Sequence, residues 1–533
     1  MNTPAQDALP ALAKTLTTAP GWNIGRDVVL LIGRENVPAL VKLLLELGQN
    51  NIMCWPMDDG PRPDVPDTVV CVGSEIELSI RVLEMIGRYP GRASVQFMKD
   101  PGQEITTRIC ETFYGAINTL GGHRAAVYGS GRKWVKHGLS NLRRIHALPT
   151  FEMCRGIPRG TPAIVVSPGP SLSKNIALLQ QCKGKALILA GSHSLSAMKR
   201  AGAPAPDVVL SLDAQKLSYH FRDYPIGSAG VLVLAATSDP ELYELPARRV
   251  FTCGSNGQID DWIYEGPTAR LASGGSVSCS ALELAHRWGC SPIILIGQDL
   301  SFAPSGQVYC SESDDAAFHA KADDAGVLRW TGASADQEAM CTAIAGTPEA
   351  PGQPAHTLPG YYGGVVTTNP QMSVYHHWFG LTAQTVKTVN ATEGGVKIDN
   401  AEHITFAEAI EKYVSPRESV DFNDIFDHTI KSHKPRAFDR YYRMRDAIWA
   451  TRRALAAREK AVGDESIYDA EMKLAEALEP IWFVSLFGQE AVQNSITDAR
   501  LNADSAEGES RRLLELTAAW IEELDTTLLA LRS

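Results

Sequence analysis

The chain lacks a basic excess, a long apolar run and paired cysteines. Its 533 residues carry 50 Lys and Arg against 61 Asp and Glu, a formal net charge of −11, with a pI near 5.7. A general nucleic-acid binder needs basic surface to neutralise phosphates, so no nucleic-acid partner is expected. No stretch approaches the roughly 20 apolar residues of a membrane helix, so no membrane insertion is expected. Met1 to Pro20 has neither a basic n-region nor an apolar h-region, and no secretory leader is expected. The ten cysteines are scattered without a C-x-x-C pair. Buried free thiols in a reducing cytoplasm are a simpler reading than disulfides or a zinc site. No D-x-D pair occurs, so the signature of a metal-bridged nucleotide diphosphate is missing.

What is present is an ordinary globular composition, 44% hydrophobic and 21% charged, long enough for roughly two to four domains. The stretch Ala163 to Leu172 organises it. Ile164, Val165 and Val166 form a β-branched run typical of a strand covered on both faces. Gly169 permits a close backbone approach. Ser171 or Ser173 is a cap for a following helix with Leu172, Ile176 and Leu179 on one face. A strand, a Gly turn and a helix start together make an anion site, although such turns are common in α/β proteins with nothing bound.

Residues 1–150 read as an α/β domain. Val28–Gly33, Thr68–Gly73 and Ser94–Phe97 are strands, and Val37–Leu47 and Ile76–Ile86 are helices. Neither Gly33 nor Gly73 opens a G-x-G-x-x-G, so a scaffold or interaction role is favoured there over a nucleotide site. A basic helix, Arg132–Arg144, leads on through Pro149. Residues 151–425 read as a second α/β domain. Strands at 163–166, 186–190, 208–212, 231–235 and 293–296 each end in a small or polar group: Ser167, Ser192, Asp213, Thr237 and Gln298-Asp299. Strands alternating with helices imply a parallel sheet, whose carboxyl edge is where ligands bind. Ser273-Gly274-Gly275-Ser276, before the helix Val277–Trp288, is a second Gly-rich loop suited to a phosphate or ribose hydroxyl, or a plain N-cap.

From Ser301 to about Gly360 periodicity is lost, as in a lid or binding loop. Pro370 at a helix start, with Asn369 or Thr368 before it as the cap, suits a helix through Trp378. A strand at Thr385–Val389 leads to a turn from which Asn390 and Glu393 would project. Thr405 and Glu408 spell a capping box. Residues 426–533 read as a helical domain, with helices from about Phe438 to Lys460, 467–478, 496–503 and 511–531.

The order Ser167-Pro-Gly-Pro-Ser-Leu, Gly191-Ser-His-Ser-Leu, Pro206-Asp207 to Asp213, Ser273-Gly-Gly-Ser-Val, Gly297-Gln-Asp-Leu and Asn390-Ala-Thr-Glu-Gly-Gly resembles the motility-associated factor (Maf) flagellin glycosyltransferases. Their central domain was once called DUF115. The resemblance covers roughly residues 155–415, and the flanking domains are similar in layout. It implies an N-terminal Rossmann-like α/β domain, a central sialyltransferase-like parallel-sheet domain (a GT-A variant) and a C-terminal helical domain. It implies a cytoplasmic enzyme that transfers a nonulosonic acid, pseudaminic or legionaminic, from a CMP-activated donor to Ser or Thr of flagellin. Archaeal relatives of the core are pterin pyrophosphokinases, which leaves that activity, or a non-enzymatic accessory role, as an alternative.

Carried onto this sequence, the resemblance has Gly169, Pro170 and Ser171 hold the CMP phosphate. Ser167 and Ser192 line the nucleotide, and Ser273, Gly274, Gly275 and Ser276 meet the cytidine or ribose. Asp213, Gln298, Thr367 and Asn390 complete the donor site, with Tyr309 as a phosphate-stabilising tyrosine. Ser301 stands where the sialyltransferases have another tyrosine, and Gly363–Thr367 where their histidine base is expected. Asp299 and Glu393 are then the catalytic carboxylates to test. A CMP donor has one phosphate and needs a bridging metal less; a divalent cation is compatible with the chemistry.

Overall fold

The computed structural model describes residues 8–17, 27–49, 51–58, 60–74, 77–78, 81–82, 93–99, 101–254, 257–264, 269–271, 274–332, 354–435, 439–460, 473, 477 and 518–527. It divides into two compact units, Met1–Gly129 and Ser130–Ser533.

The first unit is a four-stranded parallel sheet. Its strands are β1 (Val28–Ile32), β2 (Ile52–Trp55), β3 (Val70–Cys71) and β4 (Ala93–Phe97), in the order β3-β2-β1-β4. Strand β1 has no polar face because both sides are covered. Val29 and Leu31 pack with Leu40, Val41 and Leu44, while Val28, Leu30 and Ile32 pack with Ile109 and Phe113. Strand β2 was not expected from the sequence. The segment at 68–73 is a strand only at Val70–Cys71, and the helix expected over 76–86 lies largely outside the described residues.

The second unit carries an eight-stranded, all-parallel sheet. Its strands are β5 (Ala163–Val166), β6 (Leu187–Gly191), β7 (Val208–Ser211), β8 (Val231–Ala235), β9 (Val250–Cys253), β10 (Ile293–Ile296), β15 (Thr388–Asn390) and β16 (Glu402–His403). Two antiparallel hairpins, β11 (His319–Ala322) with β12 (Leu328–Thr331) and β13 (His356–Pro359) with β14 (Val365–Thr368), are also present; β11, β12 and β13 fall in the stretch from Ser301 to about Gly360 where the sequence loses periodicity. The order β16-β15-β10-β5-β6-β7-β8-β9 grows in one direction from β5 through β9, then returns to the other side of β5 with β10. The winding therefore reverses between β5 and β10, the position at which open α/β sheets form a crevice. On one face Ile164, Val166, Ile188, Ile294 and Ile296 pack against Leu172, Ile176, Leu179 and Phe406. The chain is thus an α/β protein with a large parallel sheet, as expected. No helix among the described residues is long and apolar enough to cross a membrane.

Several expectations change. The segment after Gly169 is two 3-10 turns, Pro170–Lys174 and Ile176–Cys182, and not an α-helix. The basic helix is part of one 45-residue helix, Gln103–Ala147, and the division of the two units after Gly129 falls within it. Residues 422–432 form one helix, Phe422–Ser432. That helix is tied to the sheet: Phe426 meets the Phe251 and Trp288 rings. Arg249, its side chain 1% exposed, donates to both Asp427 carboxylate oxygens and to Asn423. Asn369 caps its helix by accepting from the Met372 amide, and the helix runs to Thr382. The Thr405–Glu408 capping box forms with both hydrogen bonds. Asp439–Lys460 is helical as expected. The helices expected over 467–478 and 496–503 lie outside the described residues, apart from helical positions 473 and 477, and 518–527 is helical. The nine described cysteines are free.

Candidate functional site

The crevice between β5 and β10 is filled by the protein itself. The Gly169 amide donates to the Gly297 carbonyl at 2.9 Å. Ser171 donates through its amide to both Asp299 oxygens, at 3.3 and 3.2 Å, and through Oγ to Oδ2 at 2.8 Å. A Cβ at Gly169 would overlap Asp299 and the Gly297 carbonyl; one at Gly297 would overlap the Ser167 carbonyl; one at Gly395 would overlap the Asp299 backbone. These glycines are therefore required by close packing. The donors expected to hold a phosphate are already engaged, those of Ser171 by an internal carboxylate, and Pro170 opens the short turn between them. Asp299 is only 6% exposed. Burial pushes its pKa up to about 6, against the opposing hydrogen bonds from Ser171 and the charge of Lys174.

Neighbouring residues at this end are also structural anchors. Asn390 does not project: it is fully buried, and its Oδ1 accepts from the Thr392 amide at 3.2 Å. Glu393, at φ 57°, is half-buried and its Oε1 accepts from the Phe406 amide at 2.9 Å. Gln298 joins the core of the rim, its Oε1 accepting from Ser167 Oγ at 2.5 Å. The polar end of β8 is spoken for, since Asn141 donates to the carbonyls of Ala236 and Ser238 at 3.1 and 2.8 Å.

The open helix start at this edge is instead that of Val277–Arg287, which follows the second Gly loop. Ser276 caps it, its side chain accepting from the Ser278 amide at 3.1 Å. Ser278 Oγ lies 2.8 Å from Ser167 Oγ, so the helix start abuts the end of β5. Gly274 and Gly275 take φ of 47° and 95°. A Cβ at 275 would come within 2.6 Å of the Tyr375 ring, and one at 274 within 2.6 Å of Trp378. Ser273 lies outside the described residues. This 11-residue helix has the aligned dipole and first-turn amides that the 3-10 turn at Pro170 lacks. A recess of about 160 Å³ lined by Phe151, Glu152, Arg155, Arg287 and Trp288 lies at the other end of this helix, away from the strand ends.

Beside that helix start, the ends of β6 and β7 assemble a cluster that sequence reading did not single out. Ser192 Oγ is 3.2 Å from His220 Nδ1. The His193 and His220 rings are 3.8 Å apart. Asp315 Oδ2 lies 3.9 Å from His193 Nε2 and 4.0 Å from His220 Nε2. Tyr309 stacks on His193 at 5.8 Å. His193 keeps 36% of its side chain open to solvent, yet the surrounding protein lowers its pKa against the pull of Asp315 and Asp213. Burial drives His220 down to about 2, assisted by His193. Burial likewise raises the phenols of Tyr309 and Tyr375, the first helped by Asp315 and the second by Cys279 and Asp213. Asp213 is exposed at the end of β7. Thr367, half-buried on β14, accepts through its carbonyl from the Phe302 amide at 2.9 Å. His220 and Asp315 lie far apart in sequence from His193, in segments without periodicity. The available signal was that each follows a strand end or loop on the same sheet edge.

The structure thus brings together Ser167, Ser192, Gly274, Gly275, Ser276, Asp213 and Tyr309 around β5–β7, next to a tightly packed group of Gly169, Ser171, Asp299 and Asn390, which it adjoins through the Ser167–Gln298 and Cys310–Pro168 hydrogen bonds. Residues 136–305 match the family described as 6-hydroxymethylpterin diphosphokinase MptE-like, which is the DUF115 family. No curated protein matches the chain by sequence. The fold is shared with the Maf glycosyltransferase of Magnetospirillum magneticum AMB-1, with a TM-score of 0.54 and 13% identity over 98% of this chain and 83% of that one.

Proposed function

We propose that the chain is a glycosyltransferase that uses a CMP-activated nonulosonic acid, pseudaminic or legionaminic, and glycosylates Ser or Thr hydroxyls of flagellin. The observation that carries the reading is the fold shared with a Maf glycosyltransferase along nearly the whole chain, joined to a polar rim at the ends of β5–β7.

In this reading the donor phosphate sits at the start of Val277–Arg287, where Ser276, Ser278 and first-turn amides supply donors. Ser167, Ser192 and Asp213 line the nucleotide. Departure of CMP leaves oxocarbenium-like charge on the keto-sugar, and a helix start with a nearby phenol, Tyr309, stabilises the leaving phosphate. Asp299, buried under Ser171, is a positioning residue that fixes the β5 and β10 loops. Glu393, half-buried, is the carboxylate we assign as candidate base for the acceptor hydroxyl.

The test incubates the purified chain with CMP-pseudaminate or CMP-legionaminate and flagellin. A flagellin mass increase of whole nonulosonyl residues supports the reading; unchanged mass with both donors overturns it. The match of residues 136–305 to the MptE-like family favours one second reading, diphosphate transfer from ATP to a hydroxymethylpterin. The same preparation given ATP and 6-hydroxymethylpterin decides between them.

A further inference from the structure

We propose that His193, His220 and Asp315 bind one divalent transition-metal ion, zinc by preference, at the end of β6. This site stands independently of the transferase reading. Its ligands come from three separate segments: the turn after β6, the 3-10 turn Ser218–Phe221 after β7, and the loop following β10. One donor atom from each lies within 4.8 Å of the others.

The distances from Asp315 Oδ2 to the two Nε2 atoms, 3.9 and 4.0 Å, are too long for hydrogen bonds. They are close to the spacing of ligands around one ion. With bonds of about 2.0–2.2 Å, two tetrahedral ligands lie about 3.4 Å apart, so a contraction of a few tenths of an ångström closes the site.

His220 supplies the second, independent observation. Its side chain is 2% exposed, and its Nε2 has no hydrogen-bond partner. A buried imidazole nitrogen without a partner is destabilising. Ser192 Oγ sits at 3.2 Å from the other ring nitrogen. Assigning the proton to Nδ1, toward Ser192, leaves the Nε2 lone pair directed at the Asp315 carboxylate. Two acceptors facing each other at this separation are satisfied by a cation. An outer partner on the far nitrogen is also how metal-binding histidines are oriented.

The imidazole rings are fixed by their neighbours, Tyr309 against His193 and Tyr219 against His220 at 4.1 Å. Two nitrogens and one carboxylate suit zinc, cobalt or manganese better than calcium or magnesium, which prefer all-oxygen shells. The 36% solvent exposure of His193 gives an ion access and leaves positions for water or substrate oxygens, as in three-ligand zinc sites.

The test strips the full-length chain with a chelator and re-equilibrates it with Zn(II) or Co(II). About one ion per chain is expected by mass spectrometry. The cobalt form should show visible d–d absorption of a low-symmetry N/O site without thiolate charge transfer. His193→Ala, at a half-exposed position, should lose at least about tenfold in affinity, and Asp315→Asn should lose a similar amount. His376→Ala should bind as the wild type does. No binding, a thiolate-type spectrum, or equal affinity in His193→Ala and Asp315→Asn overturns the site. So does loss of transfer in His193→Ala by a protein that never binds an ion, which would make the cluster a proton relay. CMP titration of the metal-free protein reports on the transferase reading separately.

Discussion

The Asp299 carboxylate lies 2.8 Å from Ser171 Oγ and accepts from the amide of the same residue, so a buried acid occupies the turn where a phosphate was expected. Burial pushes its pKa up to about 6 in the folded protein, above the ordinary aspartate value of about 3.9. Between about pH 4 and 6 the native state therefore holds a proton that the unfolded chain has released, and stability falls as pH rises through that window. Asp299→Asn removes this contribution. The stability difference between variant and wild type should change by an amount on the order of 3 kcal/mol from pH 4 to pH 7, read by urea denaturation. A pH-independent difference would show that Asp299 is not buried in this way.

The same turn makes Gly169 a packing requirement. Gly169→Ala should destabilise by about 2–4 kcal/mol, because its Cβ overlaps Asp299 and the Gly297 carbonyl. Gly202→Ala is the control. Gly169 is extended, at φ −64°, so its variant meets a clash without backbone strain; Gly202, at φ +63°, is the reverse, with no atom within 4 Å of the new Cβ, and should cost only about 1–2 kcal/mol of backbone strain. Equal melting temperatures for the two variants would contradict the close approach of the β5 and β10 loops.

Much of this architecture was legible before any coordinates. The β-branched runs at 163–166, 208–211, 231–235 and 293–296 are strands because both faces are covered, and their polar ends mark one sheet edge. The capping box at Thr405 and the cap at Asn369 are local chemistry and read directly. The Asp299–Ser171 contact was not legible, because it joins residues 128 apart across a reversal of winding. Nothing in the sequence says that Gly169 meets Gly297 and not a ligand. The His193–His220–Asp315 cluster was missed for a similar reason: each residue stands alone in its own segment, and only the sheet order brings them together.

Arg249 tests how far the helix Phe422–Ser432 belongs to the sheet. Its guanidinium also donates to the Gly230 carbonyl at 2.8 Å. Arg249→Met should destabilise the second unit by about 3 kcal/mol or more, since it leaves a buried carbonyl and Asn423 without their donor. Asp427→Asn keeps an acceptor at the half-exposed end and should cost less. The Arg249 contact holds the Asp427 pKa below its ordinary value, so the pair's contribution is present at neutral pH and lost as the carboxylate protonates in acid. Chemical denaturation at pH 7 and pH 3 checks both the ranking and the direction. A larger loss for Asp427→Asn than for Arg249→Met would invert this account.

The second Gly loop is where donor binding is expected to fail first. Gly275 takes φ +95°, and a Cβ there comes within 2.6 Å of the Tyr375 ring. Gly275→Ala must therefore shift either the loop before Val277 or the Tyr375 ring, and both border the proposed phosphate site. CMP affinity should fall at least about tenfold, the equivalent of about 1.4 kcal/mol. Gly326→Ala carries comparable backbone strain at φ +74° but meets no atom within 4 Å. It lies in the β11–β12 turn and should leave CMP affinity unchanged. Isothermal titration of both variants separates a local effect on the helix start from general destabilisation. Ser276→Ala should lower affinity by removing the cap on the Ser278 amide. If Gly275→Ala binds CMP as tightly as Gly326→Ala does, the phosphate does not sit at the start of Val277–Arg287, and the donor site must lie elsewhere on the sheet edge.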